Sequence, residues 1–141
     1  MEKNETKQLI HNFLKNHRIC VLATIGGSAP QAAVIEFGEA PDLEIIFDTF
    51  TTSRKYKNLM KNSRIASVVG WDKNITVQYE GDAHELKGQE LEKCKAIYFA
   101  KNPRAQAWEN KKDNVYFKVV PTWARYSDLN KEPWEVIELK F

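Results

Sequence analysis

The chain has 141 residues, 43% hydrophobic and 11% aromatic, which suits one folded domain over 1–141 and excludes a disordered chain. Its 21 basic against 19 acidic residues leave a net charge of +2, so there is no general electrostatic case for a nucleic-acid partner. The charged start Met1-Glu2-Lys3-Asn4-Glu5 lacks an apolar leader, no stretch suits a membrane span, and Cys20 and Cys94 stand apart, so the expectation is a cytoplasmic, thiol-reduced protein.

In chain order, Leu9, Ile10, Phe13 and Leu14 recur at helical spacing and predict a helix over 3–16. Ile19–Ile25 reads as a β-branched strand that stops at Gly26-Gly27-Ser28. Gln31–Phe37 is a second strand, Gly38–Asp42 its turn, and Leu43–Asp48 a third. A helix over 53–61 follows, then strands over 64–71 and 75–86, the second interrupted by Gly81 as at a bulge. Leu91, Cys94, Ile97 and Tyr98 predict a helix over 88–100. Asn102-Pro103 then supplies an N-cap and first-turn proline for a short helix to about 109. Strands over 115–126 and 134–141 complete the chain. Short loops between strands favour antiparallel neighbours, so the pattern predicts a mainly β, α+β barrel of six or seven strands, closed or nearly so, with packed helices.

The segment over 53–61 carries its charges in an unusual order. It opens Ser53-Arg54-Lys55-Tyr56-Lys57, yet the first turn of a helix holds unpaired N–H groups and a partial positive charge. Cations there are unfavourable by a few tenths to about 1 kcal/mol unless an anion sits among them. Free N–H donors, hydroxyls from Thr49, Thr51, Thr52 and Ser53, and two or three cations together describe a phosphate site. The same residues also read as an ordinary capped helix whose basic side chains face water opposite Tyr56, Leu59 and Met60.

Other chemistry finds little support. His11, His17 and His84 form no ligand pair at metal spacing, and Ser53 lacks a nucleophile-elbow context. No dinucleotide glycine fingerprint occurs. The basic run Arg54, Lys55, Lys57, Lys61 and Arg64 near aromatics would suit single-stranded nucleic acid, but the near-neutral total charge argues against it. Trp71, Trp108, Trp123 and Trp134 suit a core or an oligomer surface, and Trp108 or Trp123 could wall a bound ring.

The runs Cys20-Val21-Leu22-Ala23-Thr24-Ile25, Pro30-Gln31-Ala32-Ala33-Val34, Ile46-Phe47-Asp48-Thr49 and Ser53-Arg54-Lys55-Tyr56-Lys57-Asn58-Leu59, in this order, resemble the pyridoxamine 5′-phosphate oxidase-like family. Arg64–Val69 and Val77–Ala83 extend the resemblance. It implies an antiparallel split β-barrel that binds FMN, as a homodimer with flavin at the subunit interface. By the same resemblance Arg54 and Lys55 hold the flavin phosphate with Ser53 and Thr49, and Val34, Ile35 and Glu36 lie along the ring. Gln31, Asp48 and Thr76 complete the implied set. Two departures matter: Glu36 stands where the family has a Lys, and Thr76 where the oxidase has a Gln. The oxidase's Arg- and His-bearing C-terminal segment has no counterpart in 132–141. The resemblance therefore implies a flavin-dependent oxidoreductase acting on a small molecule other than pyridoxamine phosphate. A non-catalytic binder of flavin, deazaflavin (F420) or haem is the alternative.

Overall fold

Helix α1, Lys3–Lys15, turns Ile10 and Leu14 inward on the stripe read from the sequence, and both are fully buried. A computed structural model describes residues 1–141. Strands β1 (Ile19–Gly26) and β2 (Ala29–Glu36) form a hairpin about Gly27, whose φ of 67° is left-handed and suits glycine. Strand β3 is the pair Gly38–Glu39, β4 is Ile45–Phe50, and helix α2 is Arg54–Lys61. Then follow β5 (Arg64–Val69), β6 (Ile75–Glu85), helix α3 (Gly88–Lys101), β7 (Asn114–Asp128) and β8 (Glu135–Lys140).

All pairings are antiparallel, in the order β2-β1-β5-β6-β7-β4-β3, with β8 also on β7. The two ends of this series, β2 and β3, are one stretch of chain broken only at Phe37, so the sheet curls until the same segment serves both edges. Counted as one, they leave seven strands. At Phe37 the N–H still reaches the Arg18 carbonyl. The long β7 carries β6 along one edge, while β4 and β8 share the other. Beyond Phe37 towards Ala29, β2 has β1 on one side only. The barrel is split there, and α2 packs across that end with Leu59 and Tyr56 against the core.

The interior holds Leu22, Phe47, Ile65, Val77, Tyr79 and Phe117 with Ile10 and Leu14 of α1. A second cluster lies outside β4 and β7, where Tyr98, Phe99 and Cys94 of α3 cover Ile46 and Tyr116. Strand β4 is therefore buried on both faces, which explains its unbroken apolar start. At Gly38 a Cβ would come within 3.1 Å of the Tyr98 Cα, so the missing side chain lets α3 lie close to β3. The β6–β7 register shifts at Glu80/Gly81, the predicted bulge.

Besides shifts of a residue or two at strand ends, three assignments differ from the sequence reading. Gly38 and Glu39 were expected in a turn, but they pair with Ile46 and Ile45. Pro41–Leu43 makes a single 3-10 turn, which delays β4 to Ile45. Residues Pro103–Trp108 are 3-10 rather than α-helical, and the Asn102 side chain does not cap them. Its amide instead donates to the carbonyls of Phe37 and Tyr98 at 2.9 and 3.2 Å, a buried tie between α3 and the strand break.

Candidate functional site

Ser53 caps α2: its Oγ accepts from the Tyr56 N–H at 3.1 Å and shares a 2.8 Å hydrogen bond with Thr49 Oγ1. The first turn has no acidic residue, and none of Arg54, Lys55 and Lys57 makes an ion pair. The N–H groups of Arg54 and Lys55 lack intrahelical acceptors by helix geometry. Two concavities adjoin this end. The larger, about 280 Å³, lies between the end of β2, the end of β4 and the segment over 98–108. The smaller, about 80 Å³, lies between β2 and α2. Lys55 lines both, so the two are neighbours.

The larger cleft gathers Val34, Ile35, Glu36, Asp48, Thr49, Ser53 and Lys55 of the residues predicted for the site. Gln31 and Arg54 line the smaller one with Lys55. Thr76 stands apart from both: it pairs with Ser127 across β6–β7, and its hydroxyl donates to the Val69 carbonyl at 3.3 Å. Lys57 and Arg54 are exposed, whereas Lys55 is half-buried.

Several residues of the cleft had no distinct signal in the sequence. Tyr98, read only as part of a helical stripe, donates its hydroxyl to Asp48 Oδ1 at 2.8 Å. Burial, then the Asp48 charge, pushes the Tyr98 phenol far above its ordinary pKa, so it remains a neutral donor. Asn114 donates to Asp48 Oδ2 at 3.3 Å and to the Trp108 carbonyl at 3.0 Å. Phe50 and Trp108 meet edge to face at 6.0 Å and form an aromatic wall. Asn58 bonds both Thr24 Oγ1 and Gln31 Oε1 at 2.9 Å, which fixes α2 over the β1–β2 hairpin and orients the Gln31 amide. Trp108 is one of the two tryptophans expected to wall a ring, whereas Phe50 and the hydrogen-bonded asparagines leave no local pattern to read.

Another concavity, about 500 Å³, is larger but lies on the outer face of the barrel beside Ala23, Ala66 and Gly81. It has neither the helix N-terminus nor the aromatic wall, and it belongs to an unpartnered sheet surface. Cross-strand register puts Val34, Val21 and Val68 in one row there and Ala32, Ala23 and Ala66 in the next. Val34 is 62% and Val68 37% exposed. Val34 also lines the larger cleft, so the apolar face runs up to its open side.

A family model described as pyridoxamine 5′-phosphate oxidase matches residues 6–128. The chain belongs to the pyridoxamine 5′-phosphate oxidase family. No curated protein matches it. Among solved structures of this fold, general stress protein 26 of Bacillus anthracis is 20% identical, with 96% of this chain and 99% of that one covered at a TM-score of 0.75. A heme binding protein of Mycobacterium smegmatis is 14% identical, covering 92% of this chain and 55% of that one at 0.81. A protein of unknown function from Agrobacterium tumefaciens is 18% identical, covering 89% and 57% at 0.77. The chain thus spans little more than half the length of the last two. At these identities the likeness shows a shared fold, and family membership rests on the matched model. No helix is long and apolar enough to cross a membrane.

Proposed function

We propose that the chain binds FMN in the cleft beside α2 and serves as an FMN-dependent oxidoreductase for a small molecule other than pyridoxamine phosphate. The observation that carries this reading is the α2 N-terminus. It joins a Ser53 cap, no acidic first turn and unpaired Arg54 and Lys55 to a concavity into which Lys55 reaches. Those groups would hold the phosphate: backbone N–H donors and cations gather at one helix end, which is how helix N-termini bind phosphate esters. The cleft of about 280 Å³ falls just below the range for small-molecule sites, about 300–1,000 Å³, and it is open beside Val34. Val34, Ile35 and the Phe50–Trp108 wall would flank a ring. FMN, when bound, supplies hydride or electron transfer, and this chain's residues bind and orient it.

Haem, suggested by the mycobacterial relative's name, is less well served. No histidine, methionine or cysteine lines either cleft, and the Tyr98 hydroxyl is committed to Asp48. We further infer a homodimer in which a second copy covers the Val34, Val21 and Val68 face, since exposed aliphatic rows across three adjacent strands are a poor surface to leave in water. With Val34 common to that face and the cleft, the second copy would close the open side.

The test is reconstitution. The purified chain should turn yellow with added FMN, retain it through gel filtration and elute at twice the mass of one chain, with Val68→Asp eluting as a monomer. Colourless protein after incubation with FMN would overturn the cofactor. A mass spectrum of the copurifying ligand separates FMN from a deazaflavin.

A further inference from the structure

The Gln31 side chain is held from two sides next to the basic end of α2. Asn58, on the second turn of that helix, donates both hydrogens of its amide, to Thr24 Oγ1 and to Gln31 Oε1, each at 2.9 Å. On the other side the Gln31 amide lies against Gly26. A Cβ there would fall 2.6 Å from Nε2 and 2.7 Å from Cδ, so the seat exists because position 26 carries no side chain. An amide has one accepting and one donating end. With Oε1 taken by Asn58, the free end is the NH2 group, which makes no hydrogen bond within the chain. Gln31 is half-buried and lines the smaller concavity with Arg54, Lys55 and Asn58. No carboxylate lines that concavity, whereas the larger cleft carries Glu36 and Asp48. Gln31 thus adds a neutral donor to two free cations, at a place where no acidic side chain opposes an anion.

We propose that the Gln31 amide is a phosphate donor that makes the site prefer a phosphorylated flavin over bare riboflavin, and that Asn58 is a positioning residue acting through it. This rests on the α2 end being the cofactor site named above. A freely rotating glutamine would present its carbonyl oxygen as readily as its NH2 group, and would lose side-chain freedom on binding. The bond to Asn58 fixes the sense of the amide beforehand, and the Gly26 seat leaves room for it. Asn58 itself spends both N–H groups on Thr24 and Gln31 and has none left for the ligand.

The test compares FMN with riboflavin on the full chain by quenching of flavin fluorescence, so that each variant supplies its own reference for the ring. The parent is expected to hold FMN tighter than riboflavin by about tenfold or more. Gln31→Met, which keeps the length without the donor, should cut that preference by about tenfold and leave riboflavin affinity in place. Asn58→Ala and Gly26→Ala, which disturb the amide from opposite sides, should each cut it severalfold. The new Cβ of Gly26→Ala meets a flexible side chain rather than backbone, so this variant carries the test should Asn58→Ala loosen α2. Added to Gln31→Met, neither change should alter the preference further, because both act through Gln31. Equal loss of FMN and riboflavin in Asn58→Ala and Gly26→Ala would mean a structural role alone and overturn the proposal. Additive losses of preference in the double variants would overturn it too. A parent that binds neither flavin, or both alike, would sink the phosphate site and the proposal with it. A parent whose preference for FMN survives Gln31→Met would sink the Gln31 role and leave the cofactor standing.

Discussion

The Tyr98 hydroxyl donates to Asp48 Oδ1 over 2.8 Å, fastening helix α3 to the end of β4 directly under the cleft. Tyr98 is 1% exposed, so the bond is shielded from competing water. Removing the hydroxyl in Tyr98→Phe should reduce stability by about 1–2 kcal/mol, because the Asp48 oxygen loses its shorter donor. In a double-mutant cycle with Asp48→Asn, urea unfolding should give a coupling of about 1 kcal/mol. Strictly additive changes would mean the pair is not coupled.

Lys55 lines both concavities and Arg54 only the smaller, which predicts unequal roles. Lys55→Ala should weaken FMN binding by about tenfold or more and Arg54→Ala by less, both without changing the unfolding midpoint appreciably. Ser53→Asp separates cap from ligand. Aspartate caps helices as well as serine does, so stability should hold to within about 0.5 kcal/mol, while a negative charge at the phosphate position should abolish FMN retention. Fluorescence titration of FMN against each variant checks both statements, and a Ser53→Asp chain that still holds FMN would relocate the phosphate.

Gly81 marks the β6 bulge, and a Cβ there would lie 2.4 Å from the Val120 carbonyl oxygen and 2.8 Å from Val119 Cγ1. The closest obstacle is backbone and cannot swing aside. Gly81→Ala should therefore lower stability by about 1–3 kcal/mol through overpacking and ladder disruption. Denaturant unfolding monitored by far-ultraviolet circular dichroism reads this directly. An unchanged midpoint would show that the bulge relaxes freely.

The protein should lose stability in alkali. Burial pushes the Cys20 thiol up to about 11 from 9.0, and burial followed by the Asp48 charge pushes Tyr116 up to about 12 from 10.0. Tyr79 and Tyr98 are raised for the same first reason. These groups stay protonated in the fold but ionise in the unfolded chain, so above about pH 9 the unfolded state binds fewer protons and stability falls as pH rises. From Cys20 alone the loss by about pH 10.5 is on the order of 2 kcal/mol. The urea midpoint should drop between about pH 8 and 10.5, and Cys20→Val should flatten the earliest part of that fall. A midpoint constant across the range would contradict the burial argument.

Much of the fold was legible because it depends on short-range periodicity. The α1 stripe, the β1–β2 hairpin at Gly26-Gly27 and the Gly81 bulge all emerged where local residues place them. Gly38-Glu39 was misjudged because turn chemistry there competes with pairing to β4, and only the partner strand decides such a contest. Asn102 was likewise read as a cap, since its use as a tie to Phe37 depends on α3 meeting a strand 65 positions away.

By itself the sequence determined that cations gather at the start of α2, because charge order along a helix is written in consecutive residues and the dipole acts within one turn. Whether those cations faced a concavity or open water was decided only by the tertiary fold. The cleft is formed by β2, β4 and the turn that carries Trp108, segments distant along the chain that the curl of the sheet brings together. The same holds for the unpaired Asp48 carboxylate: its setting depends on Tyr98 and Asn114 arriving from 50 and 66 residues away. Burial and contact are properties of the folded surface, and no local pattern encodes them.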